Sequence, residues 1–333
     1  MKSTGFIVSR GIDIWGLSLS SIIVFYLLKV LDNDSFLFLA VTLAISVALD
    51  NGHVYMSYSR VAKEFKEHAK FFVTVPVGIF LTFFVWMYFN IPYFWNMVLY
   101  ATFFHFIRQI YGINRWYMRV EGRKSPLIDT VLLLSMIIPI LSMSFNPYIN
   151  VVMFTENDFF KHPSAEIYNA LIALNVAVIL VWIGYEAKSY LKGDKPNPYR
   201  LLYTASHIAL FSLVGYTASN ATEVIIPIMM AHGFQYLVLS AKMENELYEI
   251  KFWKIFVVLL IIGVVFGGAD TLLQEQFDMD NSYLFDYTVW DKFALSLLLV
   301  PLFSHYIYDM IMWKSSYIQS LPVVKAKKTG KPN

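Results

Sequence analysis

Histidine is the residue type of this 333-residue sequence best suited to metal or proton chemistry, and five of its seven copies fall inside long apolar stretches. An ionisable side chain in the middle of a membrane span costs on the order of 2.5–3.5 kcal/mol, so five of them need a physical reason. Neutral imidazole is the commonest metal ligand, and binding a cation satisfies a buried polar cluster. The pattern favours a metal site over a proton or ion pathway and over hydrogen bonding between helices. The five are His53, His105, His207, His232 and His305, one on each stretch and at similar depth, whereas His68 and His162 fall in predicted loops.

Polar side chains lie three or four residues from these histidines, which places them on the same helix face. Such neighbours fix the tautomer of a ligating histidine or orient a bound molecule. We expect catalytic roles for three residues, each four positions after a histidine: Gln109, Tyr236 and Asp309. We expect His207 and Asp50, the latter three positions before His53, to help hold the cofactor.

Arg108 also lies in a span, three positions after His105. Its fixed charge has three possible uses: it pairs with Asp50 or Asp309, reaches the membrane surface, or binds an anionic group of the substrate.

The donor types narrow the choice of metal. The chain has no cysteine, which excludes thiolate ligands and disulfides. Imidazole nitrogens with carboxylates nearby suit iron, copper or zinc better than magnesium or calcium. One histidine per helix favours a mononuclear centre over a di-iron desaturase site, while haem with two axial histidines stays open.

The elements that must position these residues are membrane helices. The chain is 57% hydrophobic and 15% charged, whereas a soluble domain carries roughly a quarter charged residues. Ten apolar segments are long enough to span a bilayer: 11–31, 35–58, 71–89, 94–118, 126–146, 165–187, 201–218, 222–243, 253–269 and 290–313. No small-residue cleavage site follows the first, so we expect it to be a retained anchor.

The basic residues set the orientation. Of the 26 Lys and Arg residues, all but Lys29, Arg108, Lys161 and Lys292 lie at the termini or on alternate connections. The positive-inside rule then places both termini in the cytoplasm. We predict an all-α, polytopic transmembrane helical bundle of about ten spans, with a single domain at 1–313 and a basic cytoplasmic tail at 314–333. We expect it in a bacterial inner membrane, in contact with membrane lipids and not with nucleic acid, because its net charge of +2 forms no basic patch.

The order of the histidine motifs resembles the bacteriorhodopsin-related-protein family of membrane β-carotene-cleaving dioxygenases. The likeness rests on four short motifs: Asn51-Gly52-His53, Phe104-His105-Phe106, Ala231-His232, and Ser304-His305 with Asp309. The sequence departs from the family pattern at Tyr236, where a second histidine is usual, and at Ser57, where an acid is expected. His207 is a candidate replacement ligand.

The resemblance implies non-haem Fe(II) bound by His53, His105, His232 and His305, with open positions for O₂. It implies a helical bundle around an apolar tunnel entered from the lipid. The expected function is thus a membrane-embedded iron oxygenase acting on a long apolar substrate, either a carotenoid or another lipid. The alternatives are a proton-coupled transporter or channel with a His/Asp relay, and a haem-binding redox protein. The sequence leaves the substrate and the oligomeric state open.

Overall fold

A computed structural model describes residues 5–153, 159–274 and 287–313. The predicted tail at 314–333 lies outside these residues. All regular structure in the described part is helical, in ten α-helices: α1 (Ile12–Val30), α2 (Phe36–Leu43), α3 (Gly52–Tyr88), α4 (Phe94–Glu121), α5 (Pro126–Ser142), α6 (Ala165–Leu191), α7 (Pro198–Thr217), α8 (Ala221–Tyr248), α9 (Phe252–Gln274) and α10 (Val289–Met312). The first part of α1 and the segment Ala44–Asn51 before α3 are π-helical.

Among the described residues, seven helical stretches are long and apolar enough to cross a membrane, which agrees with the prediction of an all-α integral membrane protein. They are Ile12–Val30, Phe36–Tyr58, His68–Tyr88, Ala165–Leu191, Ala221–Tyr248, Phe252–Leu273 and Val289–Ile311. The other three predicted spans coincide with α4, α5 and α7, which do not meet the same criterion. α5 has 17 residues, and α4 carries Arg108, Arg115 and Arg119. The count of ten spans therefore stays a prediction.

The second and third predicted spans are joined by helix instead of a loop. α3 continues from Gly52 to Tyr88 and bends at His68, where φ is −127° and ψ is 23°. The expectation that His68 lies in a loop is therefore wrong, whereas His162 does lie in a loop and is exposed. The charged residues between the two spans favoured a loop, but Lys and Glu are good helix formers and allow the helix to continue.

The chain divides into two compact units. The first comprises residues Met1–Thr42 and Trp95–Gln235, and the second comprises Leu43–Phe94 and Tyr236–Asn333. Helix α8 passes from the first unit to the second between Gln235 and Tyr236. The expectation of one domain at 1–313 stays a prediction.

In the first unit, α5 packs against α6 and α7, and α7 also packs against α1. α5 begins at Pro126, with Ser125 accepting a hydrogen bond from the backbone N–H of Ile128 as a helix cap. α7 approaches α5 closely, because a Cβ at Gly215 would lie 2.5 Å from the Cβ of Pro139. Small residues at such crossings let membrane helices pack backbone to backbone.

In the second unit, α3 packs against α9 and α10. The crossing with α9 is a glycine contact: a Cβ at Gly52 would lie 2.7 Å from the Cα of Gly263. Gly267, four residues later on α9, approaches the backbone of Val47 and Gly52 with similar closeness. This small-xxx-small spacing fixes the start of α3 against α9. His53 follows Gly52 directly, so the crossing also fixes where this histidine lies.

Candidate metal centre

The first unit contains one pair of buried histidines, His105 on α4 and His232 on α8. Their ring centroids are 4.7 Å apart, with the ring planes at 74°. The Nε2 of Gln109, one helical turn after His105, donates a hydrogen bond of 2.8 Å to the backbone carbonyl of His232. This bond sets the register of α4 against α8 and thereby brings the two imidazoles together. The ring of Phe106 lies 4.6 Å from that of His232 and gives the pair an apolar wall.

The second unit contains a matching pair, His53 on α3 and His305 on α10. Their ring centroids are 4.6 Å apart, with the ring planes at 75°. The ring of Tyr236 packs against both, 5.5 Å from His53 and 5.3 Å from His305. Tyr236 thus joins α8 to the histidines of α3 and α10. On its other side it contacts the ring of Trp313 at 5.9 Å.

The tautomer of His53 follows from its hydrogen bond. Its Nδ1 lies 2.9 Å from the backbone carbonyl oxygen of Leu49, one turn earlier. A carbonyl oxygen only accepts, so Nδ1 carries the proton and Nε2 carries the lone pair that binds a metal. Asp50 lies beside this ring, with its Oδ1 at 4.0 Å from Nδ1. That distance is too long for a hydrogen bond, and the role of Asp50 in holding a cofactor stays a prediction.

Asp309 lies at the edge of the His305 ring, as the spacing of four residues predicts. Its Oδ2 is 3.5 Å from the Nε2 of His305, and both side chains are buried. A carboxylate beside a ligating histidine orients the ring and raises its basicity. The catalytic roles expected for Asp309, Gln109 and Tyr236 stay predictions, and each of the three lies in contact with a residue of one pair.

His207 does not join these histidines, and the prediction that it holds a cofactor does not fit the structure. Its Nδ1 lies 2.7 Å from the backbone carbonyl oxygen of Tyr203, and its Nε2 lies 2.8 Å from the Nε2 of Gln235. The first nitrogen must donate and the second must accept, so neither offers a lone pair to a metal. His207 is therefore a structural hydrogen-bonding residue, which also removes it as a replacement ligand.

Gln235 is the centre of the network that binds His207. Its amide nitrogen also donates to the backbone carbonyl of Leu17, at 2.8 Å, and its oxygen accepts from the hydroxyl of Tyr203, at 3.1 Å. All four groups are buried. These bonds tie α8 to α1 and α7 one turn beyond His232. The position of Gln235, three residues after His232, is the signal in the sequence that could have found this support.

Arg108 lies on the outer face of α4. Its side chain is exposed, and its guanidinium lies 5.9 Å from the ring centroid of Phe104. Of the uses considered for this charge, burial against a carboxylate does not fit this position.

A buried group of charges at the ends of α4, α6 and α7 escaped the sequence analysis. The guanidinium of Arg200 is fully buried and makes two bonds to the carboxylate of Glu186, at 2.7 and 3.0 Å, and one to Glu121, at 2.6 Å. Burial alone would lower the pKa of Arg200, but these hydrogen bonds outweigh it and raise the pKa. Arg123 adds a bond of 3.1 Å to Glu186. In the sequence these arginines are indistinguishable from the basic residues that set membrane orientation.

His53, His105, His232 and His305 are the described side chains that could hold a metal ion, and all four are buried. Their donor atoms are imidazole nitrogens, which suit iron, copper or zinc. No protein-family model, no curated protein and no solved structure matches this chain, so its function is argued from the site.

Proposed function

We propose that this chain is a membrane-embedded non-haem iron oxygenase that acts on a long apolar substrate, a carotenoid or another lipid, and uses O₂. One observation carries the proposal: the buried histidines occur as two ring pairs, His105 with His232 and His53 with His305. Burying two adjacent imidazoles in an apolar core is unfavourable unless their nitrogens form hydrogen bonds or bind a cation.

The two pairs act together on one Fe(II) in this proposal. Within the second unit, Tyr236 packs against both histidines of the second pair. Iron held by these four imidazoles would supply redox chemistry with O₂. This ligand set is also the one implied by the resemblance to membrane β-carotene dioxygenases, which we retain as a proposal.

The side chains around the histidines have separate tasks. Gln109 holds α4 against α8, and the hydrogen bond from His53 to Leu49 presents Nε2 to the metal. Asp309 keeps His305 oriented and is the carboxylate best placed to exchange a proton there. Phe106 packs against the ring of His232 and gives the first pair an apolar wall. We further propose ten spans with both termini in the cytoplasm of a bacterial inner membrane, because the basic residues alternate between connections.

The test is metal analysis of the purified protein. We expect about one iron per chain in the wild type and its loss in the double variant His105→Ala/His232→Ala. His162→Ala is the matched control, because this histidine is exposed in a loop and its loss should leave iron bound. A wild type without iron, or iron retained by the double variant, would refute the proposal. Copper or zinc in place of iron would change the metal in the proposal and keep the same histidine site. A Soret band in the absorption spectrum would show haem in place of a non-haem metal.

A second candidate function is a proton-coupled transporter or channel. The observation in its favour is that each histidine of the second pair has a carboxylate beside it, Asp309 at 3.5 Å from His305 and Asp50 at 4.0 Å from His53. Buried His and Asp chains form proton relays in membrane pumps. This candidate predicts solute uptake into proteoliposomes that depends on a proton gradient, with no metal bound.

A further inference from the structure

The side-chain oxygen of Gln109 takes no part in the hydrogen bond between α4 and α8. Its amide nitrogen donates to the backbone carbonyl of His232, and this bond fixes which end of the carboxamide is nitrogen. The amide oxygen, Oε1, is buried and accepts no hydrogen bond within the described residues.

A buried carbonyl-type oxygen without a donor is unfavourable, and native structures leave few of them. The neighbours of Gln109 indicate where a hydrogen-bond donor to Oε1 would lie. His105 lies one turn earlier on the same face of α4, and the carboxamide is bonded to the backbone of His232. The acceptor therefore belongs to a side chain one helical turn from His105 that is bonded to the backbone of His232. Its partner must carry a proton, because an amide oxygen only accepts.

We propose that Gln109 Oε1 accepts a hydrogen bond from a water molecule coordinated to the metal at His105 and His232. This proposal rests on the proposed function, since it requires a metal at this pair. It adds a role for Gln109, which selects the non-protein ligand that binds the metal. A metal ligand with an O–H group is stabilised by this hydrogen bond. An anion without a proton is repelled by the lone pairs of the amide oxygen. Gln109 is then a positioning residue with two separate roles, one for each end of its carboxamide.

The two roles predict different losses. The nitrogen aligns His105 with His232, so its removal weakens metal binding. The oxygen stabilises the coordinated water, so its removal makes that water easier to displace by a ligand such as azide. One net hydrogen bond corresponds to about a tenfold change in that displacement equilibrium.

The experiment titrates azide into the purified full-length protein loaded with Co²⁺, followed by the visible spectrum of the metal. Gln109→Met removes both ends of the carboxamide, and we expect azide to bind about tenfold more tightly than in the wild type. Gln109→Glu keeps an acceptor and loses the donor, so we expect no tightening of azide, although cobalt affinity falls. Asn175→Leu is the control, because it removes another buried carboxamide, on α6, whose Oδ1 likewise accepts no hydrogen bond from the described part of the chain.

Equal azide affinity in the wild type and Gln109→Met, with cobalt bound in both, would overturn this inference and leave the metal site intact. The same holds if Asn175→Leu or Gln109→Glu tightens azide as much as Gln109→Met does. A wild type that binds no cobalt would overturn the proposed function together with this inference.

Discussion

The glycine crossing between α3 and α9 makes a quantitative prediction for Gly52→Ala. The added Cβ would lie 2.7 Å from the Cα of Gly263 and 2.9 Å from its carbonyl carbon and oxygen. Ordinary contact begins at 3.4 Å, so the α9 backbone must withdraw by about 0.7 Å. The new Cβ clashes with backbone atoms of α9, so no side-chain rotation relieves the clash.

Overpacking of this kind costs about 1–3 kcal/mol, and alanine returns about 1 kcal/mol at most through its better helix propensity. Because a helix backbone yields less easily than a side chain, we expect an overpacking cost in the upper part of that range. The net loss of unfolding free energy should then be about 2 kcal/mol. Gly184→Ala on α6 is the matched control, since a Cβ there meets nothing within 4 Å. It should leave the free energy of unfolding unchanged or raise it by less than about 1 kcal/mol.

The assay is unfolding of both variants in one detergent, followed by circular dichroism, together with iron affinity. His53 follows Gly52 directly, so displacement of α3 should also weaken iron binding in Gly52→Ala and not in Gly184→Ala. If both variants unfold at the same temperature as the wild type and bind iron equally well, the glycine contact does not set the position of His53.

Three further substitutions separate packing from chemistry. Arg200→Met should cost about 3 kcal/mol of unfolding free energy, because the buried carboxylate of Glu186 loses both bonds from Arg200 and keeps that from Arg123; unfolding no easier than wild type would contradict this. His207→Phe should keep the full iron content and lower stability by about 1–3 kcal/mol, because Gln235 loses an acceptor, whereas loss of iron at unchanged stability would restore His207 as a ligand. Tyr236→Phe keeps the ring contacts with the histidines, so iron should stay bound while turnover of a carotenoid substrate falls about 10²-fold; unchanged turnover would remove the phenol from the chemistry.

The helices and their histidines were predictable because both signals are local. Apolar length alone located the ten helical segments, and the spacing of four residues placed Asp309 beside His305. A run of charge does not by itself break a helix, which is why the bend of α3 at His68 was mistaken for a loop.

Which side chains contact each histidine depends on tertiary packing and could not be predicted from the sequence. All five membrane histidines look alike in sequence, yet both nitrogens of His207 bond to protein groups, and the other four form two pairs. Which histidine faces which is decided by contacts between distant segments, such as the bond from Gln109 to His232 and the approach of Gly52 to Gly263. Arg200 was hidden for the same reason, because its acids come from two other helices.

X-ray absorption at the iron edge of the anaerobically purified protein tests the central claim most directly, since it counts the imidazoles bound to the metal. The account predicts about four in the wild type and about three in His53→Ala and in His105→Ala, one substitution from each pair, with four retained in His162→Ala. A coordination shell that is the same in all four proteins, or one with no imidazole contribution, would contradict it.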